Sequence, residues 1–132
     1  MQKYIRLFAG LGALAVALGA FGAHGLKTLV GPQELETFAT GVRYHFYHTM
    51  AIGLVSVLTL SPLLRRPYLK WATLFFLVGI LLFSGSLYLL ALQSVHGIPT
   101  VFLGPVTPIG GVFFIAGWVC LFLAPSQSPA HE

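Results

Sequence analysis

The histidines and carboxylates of this chain are few, and most fall close together. His45 and His48 sit in the string Arg43-Tyr44-His45-Phe46-Tyr47-His48, at the head of an apolar stretch. Three apart, they occupy neighbouring faces of one helix. His24 closes the preceding apolar stretch, and Glu36 and Arg43 stand just upstream of His45. Two antiparallel helices joined in sequence place the end of the first beside the start of the second. His24, Glu36, Arg43, His45 and His48 are therefore expected to form one polar site at the outer end of a bundle. Three imidazoles and a carboxylate suit zinc or another divalent metal. Two imidazoles from different helices could clamp a haem, and the same groups could relay protons or meet a quinone head group. Against these stands a plainer reading: imidazole and tyrosine rings are apolar with polar tips, so the cluster could be an aromatic belt with hydrogen bonds between helices. The cofactor, if any, is left open among haem, zinc and quinone.

Other chemistry is excluded by residue count. The acids are Glu34, Glu36 and Glu132, with no aspartate, so no Ser-His-Asp triad can be written. Glu34 and Glu36, two apart on a helix, point to different faces and cannot flank one bond. The single cysteine, Cys120, excludes an internal disulfide and a Cys-rich metal cluster, and in its apolar setting it reads as a small packed hydrophobe. There is no phosphate-binding Walker loop and no dinucleotide fingerprint. No catalytic residue is assigned. Ser84, Ser86 and Tyr88 belong to the string Phe83-Ser84-Gly85-Ser86-Leu87-Tyr88, which could pack against a neighbouring helix or line a small cavity. His96 and His131 are assigned no role.

The elements that must position these residues follow from composition. Of 132 residues, 57% are hydrophobic and 8% charged, far below the ~25% charged of soluble domains. The chain cannot cover a globular surface with polar groups, so it reads as one all-α integral-membrane domain over residues 1–132. Disorder, a secreted disulfide scaffold and nucleic-acid binding are set aside; the expected partners are the lipid bilayer and a homo-oligomer or larger membrane complex. Spans are expected near residues 4–23, 44–63, 71–92 and 107–123. Lys3 and Arg6 before the first span resemble the start of a signal peptide, but the apolar run that follows is longer than such a peptide uses, so the segment reads as a retained helix. Pro32 and Glu34 signal a helix start, and Leu35, Phe38, Ala39, Val42 and Phe46 form one apolar stripe. The spacing predicts an interfacial amphipathic helix before the second span, with a bend at Gly41. Thr107-Pro108 reads as the cap and first position of the last helix. Lys3, Arg6, Arg65, Arg66 and Lys70 share one side of a four-span bundle, which places both termini in the cytoplasm. Gly12, Ala15, Gly19 and Gly22 recur along one face of the first helix, a seam for close packing inside the bundle or in a homodimer.

Several strings in order carry a family resemblance: Ala20-Phe21-Gly22-Ala23-His24-Gly25-Leu26, then Glu36 through His48, then Phe83 through Tyr88, then Thr107-Pro108-Ile109-Gly110-Gly111. Together they resemble the small multi-pass membrane family known as domain of unknown function 423. The resemblance implies a four-transmembrane-helix bundle in a bacterial cytoplasmic (inner) membrane, and it implies no activity. Three functions remain: a non-enzymatic bundle that binds a small ligand or lipid, an accessory or assembly subunit of a larger complex, and a redox or metal protein built on the histidines.

Overall fold

The structure is a computed structural model and describes residues 2–125. Its helices are α1 (Gln2–Ala23), α2 (Pro32–Leu58), α3 (Arg66–Gly79), α4 (Gly85–Ala91), α5 (Gln93–His96) and α6 (Leu103–Phe122). A 3-10 turn, Leu26–Thr28, follows α1, and a π-helical segment, Ile80–Ser84, joins α3 to α4. Arg66–Ala91 is therefore one helical rod with a widened turn in its middle. Among the described residues the only strand-like pairing is an isolated bridge between Leu64 and Pro125. Three stretches are long and apolar enough to cross a membrane: Gln2–Thr28, Arg66–Ala91 and Leu103–Phe122. With 27 residues α2 is long enough as well, ~40 Å at ~1.5 Å per residue, but its first half carries Glu34, Glu36, Arg43, His45 and His48, which lower its apolar character.

The expected start at Pro32 is present. Gly31 is extended, Pro32 takes the first helical position and Glu34 stands in the first turn, where a carboxylate favours the helix dipole. The continuation differs from expectation. Residues 32–43 do not form a helix of their own: they are the opening turns of a single uninterrupted α2, with no break at Gly41. Gly41 is buried where the ring of Tyr88 and the side chain of Leu87 come close, so its missing side chain makes room for α4. The last helix also differs. It begins at Leu103, not at Thr107, with Pro105 in the first turn, where a missing N–H removes no helix bond. Its 20 residues then span ~30 Å, the hydrocarbon thickness.

Packing runs in two pairs joined by α2. The first helix lies on α2, α3 lies on α6, and α2 touches α3, the π segment and α4. The small seam of α1 faces α2: Gly12 lies beside Thr49 and Gly19 beside Val42, Ala15 is buried, and a Cβ on Gly22 would sit 3.0 Å from the Phe38 ring. Small residues let these backbones approach where no hydrophobic drive separates protein from lipid. The larger core joins Ile52 and Val55 to Leu69, Ala72, Phe76 and Phe114. A smaller one at the opposite end joins Leu26, Phe38 and Ala91. Buried hydroxyls return to their own helices, Thr49 to the His45 carbonyl at 2.8 Å and Thr73 to the Leu69 carbonyl at 3.0 Å. Cys120 is free and half-buried.

Candidate functional site

The five residues expected to converge are divided among four surroundings. His24 is exposed just beyond α1, and among the described residues no hydrogen bond or ion pair joins it to the other four. Glu36 and Arg43 pair along α2, as the seven-residue spacing predicts, and Arg43 also donates to the Thr40 hydroxyl at 2.9 Å. The hydrogen bond to Glu36, and then its charge, push the Arg43 guanidinium further above its ordinary value. Both side chains are exposed, so the pair contributes little to stability. The two residues border a groove of about 490 Å³ between α1 and α2, floored by Gly19, Gly22 and Phe38.

His45 turns inward. It is 1% exposed, and its Nδ1 lies 3.0 Å from the Tyr88 hydroxyl of α4. Its Nε2 and the Oγ of Ser84, in the π segment, have no hydrogen-bond partner. Ser84 is fully buried in the same rod as Tyr88, one helical turn before it. Ser86 accepts or donates across to the Thr107 hydroxyl at 2.6 Å and tethers α4 to α6. The hydroxyls of Ser86 and Tyr88 are thus committed to contacts between helices.

His48 faces the other neighbour. Its Nδ1 lies 2.8 Å from the Tyr44 carbonyl, which can only accept, so the proton sits on Nδ1. Nε2 is then an acceptor, and the Trp118 indole N–H donates to it at 3.3 Å. The Phe114 ring stacks on the imidazole at 3.4 Å between centroids, tilted by 6°. Tyr44, Tyr47, Phe83, Gly111, Ile115 and Trp118 complete a cleft of about 610 Å³ between α2, the π segment and α6, a volume suited to a small ligand. His48 lies five residues beyond Arg43, about 7.5 Å deeper along α2.

Among the described residues no three of His, Cys, Asp and Glu come close enough to share a metal ion. Both nitrogens of His48 and Nδ1 of His45 already have partners, and the two residues share one helix. A haem or zinc centre that used His48 would have to break one of those bonds, and only Nε2 of His45 is open to a ligand bond, so this pair does not form a bis-imidazole clamp. The aromatic walls around His48 were not recognised from sequence. Phe114 and Trp118 read there as part of an apolar span, and no local pattern ties α6 to α2.

The all-helical fold, the long apolar rods and the outward-facing large hydrophobic side chains define a small helical membrane protein. Residues 18–111 match the family described as Protein of unknown function (DUF423), and the chain belongs to that family. It is 41% identical over 120 residues to a UPF0382 membrane protein of Haemophilus influenzae, covering 91% of this chain and 90% of the relative. It is 40% identical over 126 residues to the UPF0382 membrane protein YwdK of Bacillus subtilis, covering 94% and 96%. It is 38% identical over 126 residues to the UPF0382 inner membrane protein YgdD of Escherichia coli K12, covering 92% and 88%. No solved structure matches the chain.

Proposed function

We propose that the protein is a non-enzymatic four-span bundle of the bacterial inner membrane that holds a small apolar or amphipathic ligand, an acyl chain or a quinone ring, in the cleft beside His48. The observation that carries this reading is the cleft itself. Aromatic rings wall it, a neutral imidazole lies stacked at its base, and no Lys, Arg, Asp or Glu stands among its lining residues. A flat or flexible apolar molecule meets aromatic faces there, and the exposed ring of Tyr47 closes one side. In this reading α2 is the second span, with its opening turns beyond the hydrocarbon, where the Glu36–Arg43 pair is least costly. Purification in mild detergent, followed by solvent extraction and mass spectrometry, tests it. One small molecule should be retained by the wild type, and Tyr47→Ala should lower retention roughly fivefold, the loss of one aromatic contact. Equal retention by both proteins would refute the cleft as the site.

A second reading, an accessory subunit of a larger complex, draws on α1. Gly10, Ala13, Ala17 and Ala20 form an exposed small-residue face on a helix that packs chiefly on α2. The same purification separates the two readings, since a stoichiometric polypeptide in place of a small molecule favours the subunit.

Both readings place the termini in the cytoplasm, because five basic residues gather at that end. In a Cys120→Ala background, Ser94→Cys should react with an impermeant thiol reagent on intact cells and Pro67→Cys should not. Labelling of Pro67→Cys with protection of Ser94→Cys would invert the topology.

A further inference from the structure

At the basic end of the bundle three elements meet around a recess that the His48 cleft does not use. Tyr4 from α1, Thr59 at the close of α2, and Arg66 and Lys70 from α3 line a space of about 210 Å³. Arg66 and Lys70 also border an adjoining groove of about 440 Å³ whose other walls are Pro67, Trp71 and Leu74. One chamber thus offers two cations and two hydroxyls, and the next offers apolar surface and an indole. Arg66 and Lys70 are four apart on one helix, so both charges face the same side. Arg65, by contrast, is turned over the Tyr68 ring. The described carboxylates, Glu34 and Glu36, belong to the opposite end of α2, and among the described residues neither Arg66 nor Lys70 has an ion-pair partner.

We propose that this pair of recesses binds a phosphate group in the polar chamber and an acyl chain in the apolar groove, which is the chemistry of an anionic phospholipid. Guanidinium and ammonium groups hold phosphate through charge-assisted hydrogen bonds, and the Tyr4 hydroxyl supplies a further donor, while the Thr59 hydroxyl already donates to the Ser56 carbonyl at 2.7 Å. The smaller chamber has room for a phosphate head, and the glycerol and chains pass into the groove along Trp71. This goes beyond the ligand proposed for the His48 cleft, and the two sites share no residue.

The test uses the full chain in neutral detergent micelles, with bound lipid counted by native mass spectrometry. Phosphatidylglycerol should bind one to one and roughly tenfold more tightly than zwitterionic phosphatidylcholine. Arg66→Gln with Lys70→Gln should weaken phosphatidylglycerol at least about tenfold, while Lys3→Gln with Arg6→Gln, which alters basic residues outside the recess, should leave it within about twofold. Displacement of the lipid by millimolar inorganic phosphate would uphold the phosphate chamber and assign it to a soluble phosphate. Equal weakening by the two double variants would reduce the effect to diffuse surface charge and overturn the site, as would equal binding of the two lipids. All four side chains are exposed, so neither double variant disturbs the core.

Discussion

Gly110→Ala should unseat α6 from the π segment. A Cβ at Gly110 would fall on the backbone nitrogen of Phe83, and the next atoms it would meet are the Cα and Cβ of the same residue. A flexible side chain could turn aside, but a backbone inside a helical rod cannot. Overpacking in tight cores destabilises by ~1–3 kcal/mol, and contact with backbone belongs at the upper end. The variant should show a clearly lowered midpoint of thermal unfolding in detergent, or fail to accumulate. Gly10→Ala and Gly104→Ala serve as references, because a Cβ at either meets nothing within 4 Å. If all three variants melt together, α6 and the π segment are not in close contact.

The second large effect is expected at the His45–Tyr88 link. His45→Phe keeps a ring in place but leaves the Tyr88 hydroxyl without its partner in an apolar interior. An orphaned buried polar group destabilises by ~1–3 kcal/mol. Tyr88→Phe leaves Nδ1 of His45 alone and should be destabilising by a similar amount. Combined, the two changes replace both partners by apolar groups, which can be nearly neutral. The double variant should therefore be no less stable than either single one, a coupling read from detergent melting curves as a double-mutant cycle. Additive losses would mean that the two side chains do not interact.

The parts of this architecture that rest on one helix were legible in the chain. The seam Gly12-Ala15-Gly19-Gly22 is a pattern within α1, and it does face α2. The Glu36–Arg43 pair depends only on helical spacing, and Pro32 with Glu34 marks the true start of α2. What depended on contacts between helices was not legible. Gly41 looked like a bend because its reason for being glycine, the Tyr88 ring, lies 47 residues away. Thr107 looked like a cap because its hydroxyl partner, Ser86, belongs to another helix. Chain connectivity does place His24 near one end of the bundle with the start of α2, but it fixes no side-chain direction. His45 and His48, three apart, diverge to Tyr88 and to Trp118.

The widened turn at Ile80–Ser84 sets the angular phase of everything after it. A π turn holds about one residue more than an α turn, and each residue advances an α-helix by ~100°. Arg66–Gly79 therefore presents Phe76 to the core shared with α6, while Gly85–Ala91, on a reset phase, presents Tyr88 to α2. Closing this turn to regular α geometry with every residue kept would leave composition and hydropathy unchanged. It would also rotate Tyr88 and Ser86 by ~100° away from His45 and Thr107. In this rod the width of one turn, more than the identity of its residues, decides which neighbours α4 recognises.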